Sequence, residues 1–169
     1  MLMNHAGAAA QRHRSQTLLQ PQPVGDARSE LQLFFKSYDS GMLDFDADQL
    51  AGQFDLPCLL SAPEGSGSFS ARGELRAALA RTFLEYRHQG LVSASLAALS
   101  LTALSHDFAR AEAVWSFCNG RGQEMRNIAC AYTLRRSPPG EIGRWRIVHA
   151  VSLDAPLRHR PRGETLSLR

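Results

Sequence analysis

Tyr38, Asp39 and His149 carry a phenol, a carboxylate and an imidazole, side-chain types on which general acid–base chemistry draws. Their settings in the sequence differ. Tyr38 falls at helical spacing with Leu31, Phe34 and Phe35, as a packed helix residue does. Asp39 lies near the end of the same segment, where a solvated terminal carboxylate is the plainer reading. His149 shares strand parity with Trp145, Ile147 and Val151, a setting that suits a hydrogen-bonded core or interface histidine as well as a catalyst. No metal site is expected. His5, His13 and His159 lie towards the chain ends and His88 and His106 at element ends, and no pair has the i, i+4 or short-loop spacing of metal ligands. Cys58, Cys118 and Cys130 are odd in number and far apart, so they imply neither a disulfide framework nor a zinc knuckle. There is no nucleophile elbow, phosphate loop or dinucleotide fingerprint, and no cofactor is expected.

The elements that would position such residues centre on 109–117, which reads ARAEAVWSF. Ala109, Ala111, Ala113, Trp115 and Phe117 share one parity; Arg110, Glu112, Val114 and Ser116 share the other. That is a strand with one apolar and one mostly polar face. Three alanines on the apolar face suggest a curved wall around a pocket, unless large side chains opposite fill the space. Further strands are predicted near 93–104, 125–136 and 144–152, with turns at 105–107, 119–122 and 137–143. Ahead of them, Asp26 suits a helix N-cap and Gly41 a C-cap. A short helix starts at Asp44 or Asp46, and Pro57 opens a short strand, Cys58 to Ser61. Residues 63–68 read as a loop. A third helix from Ser70 or Arg72 carries the stripe Leu75, Leu79, Phe83 and Tyr86 and stops at Gly90. Helices followed by long strands predict an α+β fold: three N-terminal helices on a strongly curved antiparallel sheet.

The 169 residues suit one domain, and 44% hydrophobic content is that of a globular protein. Residues 1–25 have no periodicity and read as a disordered leader. Residues 26–155 form the domain, and 156–169 a basic flexible tail. Arg12 and Arg14 make the leader positive, and Arg158, Arg160, Arg162 and Arg169 outweigh Glu164 in the tail. The formal charge of +3 therefore resides in the two ends, and the domain between them is net acidic. It offers no phosphate-binding face, so no nucleic-acid partner is expected. No run approaches the roughly 20 apolar residues of a membrane span and no signal peptide is evident, which predicts a cytoplasmic protein away from membranes.

The order helix, helix, short strand, helix and four long strands resembles the nuclear-transport-factor-two-like superfamily, which includes the SnoaL-like proteins. Three stretches carry the likeness: Tyr38 to Asp44, Phe69 to Leu75, and Arg144 to Ser152 with its tryptophan, isoleucine, histidine and serine. The resemblance covers about 26–155. It implies a cone-shaped α+β barrel with a pocket between sheet and helices, and a homodimer through the sheet. In such a cone the pocket is expected to take Phe34 and Tyr38 from the first helix, Ser61 from the short strand and Phe83 from the third helix. Ala113, Trp115, Phe117, Asn127, Ala131, Val148 and Ser152 would come from the long strands, leaving Trp145 and Ile147 on the convex face.

The family spans enzymes and binding modules. The ketosteroid isomerase mechanism needs a carboxylate base near Ser61 and a phenol near Phe34, and neither residue can serve. The kinase association domain holds an anion with arginines where this chain has Ala113, Ala131 and Ser152. Arg146 is the basic residue of the last strand that could face inward, and an outward, solvated position suits it better. The scytalone dehydratase type uses His, Asp and Tyr, which Tyr38, Asp39 and His149 supply. The reading is thus a cone binding a small, largely apolar ligand without an identifiable catalytic set. The alternative is a small lyase, cyclase or isomerase on an apolar carbonyl compound, with His149 or Asp39 as acid/base.

Overall fold

A computed structural model of the chain describes residues 24–138 and 145–153. Most of the expected leader, most of the turn at 137–143 and the basic tail lie outside the described residues. The elements run α1 (Val24–Asp44), α2 (Ala47–Ala51), β1 (Phe54–Ala62), β2 (Gly65–Phe69), α3 (Arg72–His88), β3 (Leu91–Ala103), β4 (Phe108–Asn119), β5 (Glu124–Arg136) and β6 (Trp145–Ser152). The strands form one sheet in the order β2-β1-β6-β5-β4-β3. Register breaks in several pairings bend it into a cone that stays open between β2 and β3. The fold is α+β, as expected, but the sheet is mixed: β1 runs parallel to β6, and the other pairings are antiparallel. A chain that returns through a helix and four further strands can arrive at its neighbour in either direction, so this pairing is not visible locally.

α1 packs across β3, and α2 packs on α3. α1 starts at Val24, so Asp26 lies inside its first turn rather than at its cap. It also runs past Gly41. That glycine serves close approach instead: a Cβ there would lie 2.9 Å from Leu50 Cγ and Cδ2 of α2. The turn is made at Phe45, whose φ of 52° is left-handed. That conformation is costly for a bulky residue. It is offset by burial of the ring, which stacks on Phe83 with centroids 4.8 Å apart. Asp46 then caps α2, its carboxylate accepting from the Asp48 and Gln49 amides at 3.0 and 2.9 Å. Gly90 ends α3 with φ 80°.

Residues 63–68 are not a plain loop. They contain the turn of a hairpin in which β2 pairs with β1 from Cys58 with Phe69 to Ala62 with Gly65. The Gly and Ser of this edge strand carry little β propensity, and its backbone pairing holds it in place. At the other end of the fold, Glu30 of α1 clamps the sheet. Its carboxylate accepts from Trp145 Nε1 at 3.1 Å and pairs with Arg136 at 3.1 Å, and the guanidinium lies over the Trp145 ring. No helix among the described residues is long and apolar enough to cross a membrane.

Candidate functional site

The alternation of β4 holds in the structure: Ala109, Ala111, Ala113, Trp115 and Phe117 are all buried. The three alanines, however, do not border open space. They belong to the same packed cluster as Phe34, Phe35 and Leu31 of α1. Phe34 and Phe35 meet edge to face at 5.3 Å, and Phe35 reaches Tyr132 at 5.5 Å. Small side chains on the sheet thus accommodate large ones on the helix, and Phe34 and Ala113 are core rather than pocket wall.

The open volume begins beyond them. A cavity of about 630 Å³ lies between the sheet and the helices. Tyr38 and Met42 of α1, Phe54 and Leu60 of β1, and Leu79, Phe83 and Tyr86 of α3 form part of its wall. Trp115 and Phe117 supply the β4 side, and Ala150 and Ser152 the β6 side. The exposed residues Glu64, Ser66, Thr82, Glu85 and Gln89 form a polar rim. Ser61 also borders it, so Tyr38, Ser61, Phe83, Trp115, Phe117 and Ser152 come together here.

Register decides the remaining strands. β4 pairs with β5 so that Ala111 meets Tyr132, Ala113 meets Cys130, Trp115 meets Ile128 and Phe117 meets Arg126. Paired residues share a face, so Arg126, Ile128, Cys130 and Tyr132 line the cavity. Asn127 and Ala131 are on the outer face instead, and Asn127 donates to Glu124 at 3.1 Å. The signal was present in the sequence: Ile128, Tyr132 and Leu134 form the apolar parity of this strand. In β6 the pairing steps from Leu134 with Ile147 to Thr133 with His149, leaving Val148 as an extra residue. Such a bulge reverses which parity faces inward. Before it Trp145 and Ile147 are buried at 2% and 0% exposure; after it Ala150 and Ser152 line the cavity. Trp145 and Ile147 therefore belong to the core and not to a convex interface, and Val148 does not line the cavity.

The acid–base candidates are separated by the same geometry. Tyr38 lines the cavity, but Asp39 and His149 do not. Asp39 is half-buried, and its carboxylate accepts from the Leu96 amide at 2.7 Å, where the β3–β4 register shifts. It is thus neither a solvated terminus nor a cavity base; it anchors α1 to β3. His149 Nε2 meets Ser61 Oγ at 3.0 Å, and Ser66 Oγ donates to Ser61 Oγ at 3.0 Å. Arg146 is neither pocket cation nor solvated: it donates to the Gly52 carbonyl at 2.7 Å. Among the described residues no cluster of His, Cys, Asp and Glu could hold a metal ion.

Behind the polar rim, the cavity wall carries the phenols Tyr38, Tyr86 and Tyr132. Burial pushes the Tyr38 phenol far above its ordinary range, with Cys130 adding to the shift and hydrogen bonding with Tyr132 opposing it. Burial likewise raises Tyr132, whose hydroxyl accepts from Trp115 Nε1 at 2.8 Å. Both phenols are neutral at physiological pH and serve as hydrogen-bonding groups rather than bases. Arg126 lies over the Tyr86 and Phe117 rings, its Cζ 5.5 and 5.7 Å from their centroids.

Comparison with known proteins agrees with this architecture. Residues 26–155 match the family model described as NTF2-like protein (DUF6841). An NTF2-like protein of unknown function from Pseudomonas putida superimposes with a TM-score of 0.61 at 16% identity, covering 86% of this chain and 97% of that one. A protein of unknown function with a cystatin-like fold from Nostoc punctiforme gives 0.60 at 12% identity, covering 79% and 93%. An NTF2-like protein of unknown function from Shewanella oneidensis gives 0.57 at 13% identity, covering 75% and 98%. None of the curated proteins matches significantly. At such identities the structures share the fold alone, while the family match spans most of the sequence: the chain belongs to the NTF2-like DUF6841 family.

Proposed function

We propose that the protein is a binding module that takes up a small, largely apolar molecule in the cone. The observation that carries this is the cavity itself. Its roughly 630 Å³ falls in the range of ligand sites, and its wall is mainly aromatic and aliphatic. Its carboxylates, Glu64 and Glu85, are exposed at the rim, and its deep hydroxyls are held protonated. That composition favours retention of a ligand over proton transfer to it.

The test uses Nile red, a neutral apolar dye, and the variant Ala150→Leu. Ala150 lines the cavity, and a leucine there would occupy ligand volume. The native protein should bind the dye at one site with enhanced emission, and the variant should lose most of that binding. Equal binding by both proteins would mean that the dye sits elsewhere and the reading is wrong.

The outer face of the sheet supports a homodimer. Val114, Ala129 and Ala131 lie there as half-buried, small apolar side chains over which a second sheet could pack closely.

A further inference from the structure

The cavity contains a cation that its apolar surroundings do not explain. Among the described residues, Arg126 is the basic side chain that lines it. Its Nε is buried and has no hydrogen-bond partner. Among the described residues no carboxylate lies within ion-pair distance of the guanidinium. The other half-buried arginines of the strands show what is missing. Arg136, whose Nε is likewise unpartnered, has the Glu30 carboxylate as countercharge, and Arg146 donates to a carbonyl. Arg126 has two ring faces and the neutral Tyr86 phenol, whose pKa burial raises and Arg126 lowers. An arginine has five N–H donors in a planar fork; rings satisfy none of them, and the hydrogen bond to the Tyr86 hydroxyl still leaves Nε without a partner. A buried donor without a partner carries a desolvation cost that a bound acceptor would remove.

We infer that Arg126 is the recognition group of the cavity and that the ligand is an amphiphile with one carboxylate, its apolar body against Ile128, Phe83 and Trp115. The inference rests on the ligand-binding reading above and narrows it. A carboxylate matches the guanidinium fork and neutralises it one for one. A doubly charged phosphate would bring a second charge for which, among the described residues, the cavity wall has no second cation. Glu64 and Glu85 at the rim are exposed and well hydrated, so they disfavour an anion at the mouth and leave the Arg126 wall as its place.

The experiment titrates the full-length protein by calorimetry with octanoate and octanamide, which differ little in shape and mainly in charge. Octanoate should bind more tightly, on the order of 10- to 100-fold, the range of one charge-assisted hydrogen-bonded contact. Arg126→Gln should abolish that preference while leaving octanamide affinity within about threefold, since the apolar wall is untouched. Arg126→Lys should keep part of the preference, as it retains charge without the fork. If the glutamine variant does not fold, the native preference and the lysine variant decide. Equal binding of the two probes by the native protein overturns the inference and leaves the apolar cavity standing. A preference that survives Arg126→Gln overturns the role of Arg126. If neither probe binds, the ligand-binding reading fails, and this inference with it.

Discussion

Ala113 and Ala150 are both alanines on strands, yet they should respond oppositely to enlargement. Ala113 is 2% exposed in a packed cluster, so Ala113→Leu must displace neighbours and should cost about 1–3 kcal/mol. Ala150 faces free volume, so Ala150→Leu should change stability by no more than about 1 kcal/mol. Urea denaturation of the two variants checks this, and similar losses in both would mean the cavity is packed. The three tyrosines offer a second test. Tyr38, Tyr86 and Tyr132 all line the cavity, and burial raises the pKa of each. A raised folded-state value means the native state keeps its proton longer than the unfolded chain. The associated stability is therefore complete below about pH 10, the unfolded phenol value, and is lost as pH rises above it. Phenolate absorbance of the folded protein should rise later than the step of an ordinary phenol near pH 10 and be completed by unfolding. A normal titration step near pH 10 in the folded protein would show that the rings are accessible to water.

Between elements, the decisive contacts are close approaches rather than propensities. Gly41 lies within α1, where replacing glycine by alanine ordinarily adds roughly 0.5–1 kcal/mol of helix stability. Here the added methyl would meet Leu50, a fully buried side chain, at 2.9 Å. Gly41→Ala should therefore destabilise by about 1–3 kcal/mol, reversing the sign that propensity alone predicts. Thermal denaturation measures it, and a stabilised variant would show that α2 can move away from α1. The β6 bulge acts on the same scale. One extra residue at Val148 sends Trp145 and Ile147 into the core and, beyond it, Ala150 and Ser152 to the cavity. Strict alternation from Trp145 to Val151 cannot reveal that reversal, because its period is broken by tertiary pairing.

For the molecule as a whole, cavity and outer face are the two sides of one sheet. If the outer face joins a second copy, a charge placed there should separate the copies without touching the cavity. Ala131→Arg sits on that face, beside Glu112 and Val151 in the register. Sedimentation velocity should find a dimer for the native chain and a monomer for the variant, with Nile red binding retained in both. A native monomer at tens of micromolar would remove the dimer proposal.

Helical spacing in 31–38 and 75–86 and the alternation of 109–117 were sufficient to predict the α+β order and the inward face of β4. Such patterns are local: each face repeats within one element and buries itself whatever its neighbours are. The Ser/Gly-rich β2 was not legible, since an edge strand of that composition exists only through its pairing with β1. Nor was the β5 wall identified, although its even-numbered apolar residues were there to be counted. Asp39 and His149 looked alike as acid–base candidates, because residue type does not record a partner. The tertiary structure gave Asp39 to a backbone amide and His149 to Ser61. It also placed Arg126 beside Phe117 with no countercharge among the described residues. Whether a buried group finds a partner depends on strands distant in sequence, and register and packing settle that only once the sheet has formed.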